Sequence, residues 1–151
     1  MSHFEATSRG IKVSLSPEER MFLGDVLPLL AGIGAVGSDP AADRLNVPVY
    51  LDDPEANSEW WRLMGGDMEA ARKADRAVLR RVLDEHGNPT LDDGEANALL
   101  RVINEARLAL GARLGVEVES DHEDLPEDSR QVLDYLGWLL EELTVELSRS
   151  L

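Results

Sequence analysis

The chain has 151 residues, with 30 acidic against 15 basic side chains, 43% hydrophobic residues and no cysteine. A chain of that length fits one domain, which buries roughly 70% of the surface its unfolded form exposes. The net charge of −15 argues against nucleic acid or an anionic membrane as main partner, and the missing cysteine excludes disulfides, thiolate metal sites and a thiol switch.

Residues 1–15 alternate, with Ile11, Val13 and Leu15 at period two, which predicts a short strand or a hairpin turning near Gly10. Ser16-Pro17-Glu18-Glu19 is a helix start: a hydroxyl for orphan amides, proline at the first position, and acid at the positive end of the dipole. The apolar run from Met21 to Gly37 is broken by Asp25 and Pro28, so a membrane span is not expected. The acidic pair Glu18 and Glu19 also speaks against a signal peptide, which leaves a cytoplasmic protein. Pro28 is expected to bend this first helix.

A linker from Gly37 to Pro54 contains Pro40, Pro48 and Pro54. Asp53-Pro54-Glu55 opens a second helix through Trp60 and Trp61, and Gly65-Gly66 is expected to break it from a third, Asp67 to about His86. Asp92 or Asp93 caps a fourth helix that ends at Gly115. Leu99, Ile103 and Ala106 on one stripe, with Leu100, Leu108 and Gly111 on another, predict a central position for it. Residues 116–128 are the most acidic segment and read as a surface loop. A last amphipathic helix from about Pro126 carries Leu136, Leu139, Leu140 and Leu143 on one face. The fold class is mainly α: about five helices in a compact bundle with a short N-terminal strand or hairpin, in a single domain of residues 1–151.

No catalytic constellation is legible. His3, His86 and His122 lie far apart, Gly32, Gly34 and Gly37 do not form a dinucleotide fingerprint, and Asp53 beside Asp52 is explained by capping. The expectation is therefore no enzyme, cofactor or metal. Arg72, Arg76 and Arg80 share one helix face, either as a stripe for an acidic partner or as internal compensation for neighbouring acid, the second being favoured. Trp60 and Trp61, as well as Tyr135 and Trp138, are candidate partner contacts and could equally be core. Arg101, Asn104, Glu105, Arg107 and Arg113 decorate the central helix. They are expected to form a structural network with the linker residues Arg44, Tyr50, Asp52 and Asp53, including an Arg101–Glu105 pair, or else to line an anion pocket.

Three blocks carry a resemblance: Arg44-Leu45 with Pro48, Tyr50 and Asp52-Asp53-Pro54; Ile103-Asn104-Glu105-Ala106-Arg107-Leu108 with Gly111, Arg113 and Leu114; and Tyr135-Leu136-Gly137-Trp138-Leu139 with Glu141-Glu142-Leu143. Together they resemble an actinobacterial domain-of-unknown-function family that includes the oxidative-stress-responsive regulator AosR. That resemblance implies a small helical cytoplasmic protein, often encoded beside an adaptor of the Clp protease. It also implies control of transcription through contact with a sigma factor, governed by a cysteine switch that this chain cannot carry. The expected function is a non-enzymatic regulator acting by protein–protein contact, with a sigma factor or a protease component as partner and a homodimer as one possible assembly. The alternatives are an accessory protein in regulated proteolysis or a small-ligand-binding domain around Arg44, Asp52, Asp53 and Arg107.

Overall fold

The computed structural model describes residues 2–85 and 87–150. His86, where the third helix was expected to end, lies outside the described residues. Six helices and a three-stranded antiparallel sheet are present among the described residues. Strands β1 (Phe4–Thr7) and β2 (Gly10–Val13) form the expected hairpin, and β3 (Thr90–Leu91) adds to its far side. Two residues are too short for a period-two signal, which is why β3 was not foreseen.

Helix α1 (Pro17–Ala31) begins with a full capping box: the Ser16 hydroxyl accepts from the Glu19 amide, and the Glu19 carboxylate accepts from the Ser16 amide. It passes through Pro28 and ends one turn later. The short helix α2 (Pro40–Leu45) follows, capped by Asp39. Helix α3 (Pro54–Asp84) runs unbroken through Gly65-Gly66, so the two helices expected there are one. Helix propensity costs of about 1 kcal/mol per glycine are small beside the cooperative gain of continuing a 31-residue helix.

Helix α4 (Asp93–Arg113) is the axis of the fold, packing on α2, α3, α6 and the sheet. Val102, Ile103, Ala106 and Ala109 are buried on it, and its small side chains let neighbours approach closely. Gly115 then turns the chain at φ +82°, a conformation that favours glycine. The acidic segment is not a plain loop: it holds α5 (Glu119–Glu123), and the Asp121 carboxylate accepts the Glu117 and Val118 amides to start it. Helix α6 (Glu127–Arg149) closes the core with Leu133, Leu136, Leu139 and Leu143. Burying each such side chain contributes about 1.5–3 kcal/mol.

The exposed edge of the sheet is closed by α6. Glu142 Oε1 accepts the amides of His3 (2.5 Å) and Phe4 (3.1 Å), and Glu146 Oε1 accepts that of Ala6 (3.2 Å). Glutamates four apart on one helix thus satisfy the outward amides of an edge strand that would otherwise invite another chain. The His3 ring sits between two carboxylates, Nε2 2.6 Å from Glu19 and Nδ1 2.9 Å from Glu142. The Tyr135 hydroxyl donates to Glu19 at 2.7 Å, and burial, followed by that bond, holds its pKa above the ordinary value. This cluster ties β1, α1 and α6 together.

Candidate interaction surface

The long helix α3 has two unequal halves. Its buried residues, Leu79 and Val82, belong to the C-terminal half, which lies on α4. The N-terminal half, from Pro54 to about Ala71, has no buried residue. Yet this half is not polar. Leu63 is 62% and Met64 40% exposed, and the preceding segment adds Val47, Val49, Tyr50 and Leu51, the last 81% exposed. Half of the large apolar side chains exposed among the described residues therefore fall between Val47 and Met64. Such clustering marks interaction surfaces, whereas single exposed apolar residues mark nothing.

The segment is held in shape by local bonds. Asp53 caps α3 through the Ala56 amide (3.0 Å), and the Asn57 side chain accepts the Val49 amide (2.8 Å), folding the 47–51 segment back over the helix. The rings of Trp60 and Trp61 meet edge to face at 4.9 Å, and both are half-buried. Between this half of α3 and residues 36–48 opens a cleft of about 750 Å³, with Val36, Pro48, Trp61 and Met68 as apolar walls, Asp43 and Glu69 as acids and one base, Arg72, which donates to Asn46 and the Leu45 carbonyl. Residues 43–69 carry seven acidic side chains against two basic ones. The two are occupied: Arg44 donates to the Val116 carbonyl and Arg62 pairs with Glu59. An apolar surface with an acidic surround suits a basic, apolar counterpart.

The structure does not gather the nine residues of the expected polar network into one place. Glu105 is buried and pairs with Arg76 of α3, while Arg101 pairs with Asp75 at 2.9 Å; the expected Arg101–Glu105 pair is absent because each side chain reaches across to α3 instead of along α4. Asn104 is exposed. Arg113 reaches Asp39 at 2.9 Å, and this pairing, then the amides of Gly34 and Ala41, hold the Asp39 carboxyl well below the ordinary carboxylate range. Tyr50 and Asp52 are exposed on the 47–53 segment and Asp53 is the cap of α3, so neither aspartate approaches Arg107 as part of one site. Arg44 and Arg107 do share a separate cleft.

Of the arginine stripe, Arg72 turns inward to the Asn46 side chain and the Leu45 carbonyl, Arg76 to Glu105, and Arg80 faces solvent. Trp138 is 69% exposed on α6, while Tyr135 packs edge to face on Phe22. The pairings of Asp39 with Arg113, Asp75 with Arg101, Glu19 with Tyr135 and Glu142 with the sheet edge were not foreseen, because each spans at least 26 positions and no local spacing signals that.

No helix of the described residues is long and apolar enough to cross a membrane. The sequence pattern of a domain of unknown function (DUF2017) matches residues 1–147. No curated protein and no solved structure matches the chain.

Proposed function

We propose that this chain, which belongs to the DUF2017 family, is a non-enzymatic regulatory protein that works by binding another protein through the N-terminal half of α3. The observation that carries this reading is the concentration of exposed apolar side chains between Val47 and Met64, four on the segment before α3 and two, Leu63 and Met64, on a helix half with no buried residue. A helix half that the fold itself leaves uncovered contributes little to stability, and burying it against a partner recovers that apolar contact. The acidic surround selects a partner segment that is both basic and apolar, in the manner of an amphipathic helix laid in a groove.

The resemblance of the three sequence blocks to the AosR family supplies the partner class: a sigma factor, contacted in the cytoplasm. Without cysteine, the contact is not governed by thiol oxidation in this chain.

The test is affinity purification with mass spectrometry from native cells, comparing the wild type with a Leu51→Glu/Leu63→Glu variant. Both side chains are more than 60% exposed, so the variant folds. Recovery of a sigma factor by the wild type, lost in the variant, supports the proposal. Recovery of no transcription component, or equal recovery by both, overturns it.

A further inference from the structure

A second cleft, of about 390 Å³, lies where α2, α4, α5 and α6 meet, and two arginines reach it from different elements: Arg44 from α2 and Arg107 from α4. We propose that this cleft binds a small organic oxyanion, a carboxylate or phosphate ester, between those two guanidinium groups.

The charge arrangement is the first argument. In a chain with twice as many acids as bases, nearly every arginine could find a carboxylate. Among the described residues Arg62, Arg76, Arg81, Arg101, Arg113 and Arg149 pair with one, while Arg44 and Arg107 are among the arginines that do not, and these two line the same cleft. Arg44 is instead fixed by donating to the Val116 carbonyl at 2.8 Å, which leaves its charge uncompensated. The one carboxylate lining the cleft, Asp134, is hydrogen-bonded to His122 at 2.9 Å and pairs with neither arginine.

The second argument is the seat provided for Arg107. A side chain at Gly137 of α6 would place its Cβ 3.4 Å from Arg107 Nε and 3.6 Å from both Cζ and Nη2. Those near-equal distances mean the guanidinium plane lies flat over the helix at the one position without a side chain. Arg107 is therefore held by stacking on α6 rather than by an ion pair, with its donor edge left to bind a ligand. Leu108, Val116 and Leu133 add apolar walls, so the ligand carries a short apolar body beside its charged group. The volume lies at the small end of the range for such sites. This site is independent of the α3 surface and stands or falls without it.

The experiment is a titration of isotope-labelled protein, followed by amide NMR shifts, with heptanoate (a hexyl chain on a carboxylate), hexyl phosphate and inorganic phosphate. The first two share one apolar body and differ only in head group, so the tighter of them names the ligand source. Saturable shifts at Gly111, Val116 and Gly137, with either hexyl compound tighter than inorganic phosphate, are the expected result. Arg107→Gln is expected to weaken binding by at least about tenfold, the loss of a hydrogen bond to a charged group. Gly137→Ala keeps both arginines and favours the helix, so weaker binding with undiminished thermal stability would separate positioning of Arg107 from general damage. Arg62→Gln, on the far helix half, should bind as wild type. The proposal is overturned by non-saturable shifts with all three anions, or by an Arg107→Gln variant that binds as tightly as wild type.

Discussion

Glu105 of α4 and Arg76 of α3 form an ion pair in which both side chains are largely withdrawn from solvent, 8% and 15% exposed. Two Arg76 nitrogens, Nε and Nη2, converge on the same carboxylate oxygen. The pair joins the C-terminal half of α3 to the central helix, beside the buried Leu79 and Val82. Desolvating two charges offsets most of their attraction, but removing one leaves the other buried and alone. Glu105→Ala is expected to lower stability by about 3–5 kcal/mol, whereas Arg76→Met/Glu105→Leu together should stay close to wild type. Urea denaturation of the three proteins checks this, and a near-neutral Glu105→Ala would refute the strength assigned to the pair.

Of the carboxyls held below their ordinary values, three join elements far apart in sequence, whereas Glu59 and Asp121 act within one helix or turn. Glu19 and Glu142 are held below their ordinary value of 4.5: burial pushes upward, and is outweighed for Glu19 by the Ser16 amide and the Tyr135 hydroxyl, and for Glu142 by His3 and the Phe4 amide. Asp39 is held below 3.8 chiefly by Arg113. A carboxyl with a depressed folded pKa binds fewer protons folded than unfolded, so its stabilisation is present above the unfolded value and lost as pH falls through the folded one. Unfolding free energy is expected to decline steadily below about pH 5. Glu19→Gln and Asp39→Asn should each be less stable near neutrality and show a shallower acid slope. A Glu19→Gln slope equal to that of wild type would contradict the assignment.

These same groups show what the sequence makes legible. The Ser16 and Asp53 caps follow from spacing within one turn and the central role of α4 from its two apolar stripes, and all three are found; that Glu19 closes a reciprocal capping box was not foreseen. The sheet edge, the Asp39–Arg113 pair and the Arg76–Glu105 pair depend on which helices become neighbours, and a single sequence carries no local sign of that. For the nine polar residues, residue type was readable while convergence was not: Arg44 and Arg107 line one cleft, and Asp52 and Asp53 belong to the 47–53 segment and the cap of α3. The uncovered half of α3 was obscured for another reason. Its Leu63 and Met64 look like core in sequence, and only the absence of a covering element identifies them as surface.

Gly10 closes the hairpin at φ +134°, and a Cβ there would stand 2.2 Å from the Leu91 carbonyl oxygen. The obstacle is backbone of β3, not the end of a mobile side chain, so the strand itself has to move. Gly10→Ala therefore combines an unfavourable dihedral with displacement of β3, and a loss of about 1–3 kcal/mol is expected. Hydrogen exchange should show the amide of Val13, which donates to Pro89 beside β3, among those losing most protection. Unchanged protection at Val13 would mean that β3 accommodates the methyl group without moving.

Gly65 and Gly66 lie inside α3, where each weakens the helix by roughly 0.5–1 kcal/mol relative to alanine. Nothing lies within 4 Å of a Cβ at Gly66, and at Gly65 the nearest atom is Trp61 Cε3 at an ordinary 3.9 Å. Neither glycine has a positive φ, so alanine is strain-free at both sites. Gly66→Ala is accordingly expected to raise the helicity of the N-terminal half of α3 and stabilise the protein by a few tenths to about 1 kcal/mol. Gly65→Ala should do the same while placing a methyl group in the cleft beside Trp61. Circular dichroism with thermal unfolding measures the first effect, and sigma-factor recovery compared between the two variants measures the second. If Gly66→Ala destabilises the protein, α3 is not a continuous helix through this pair in solution.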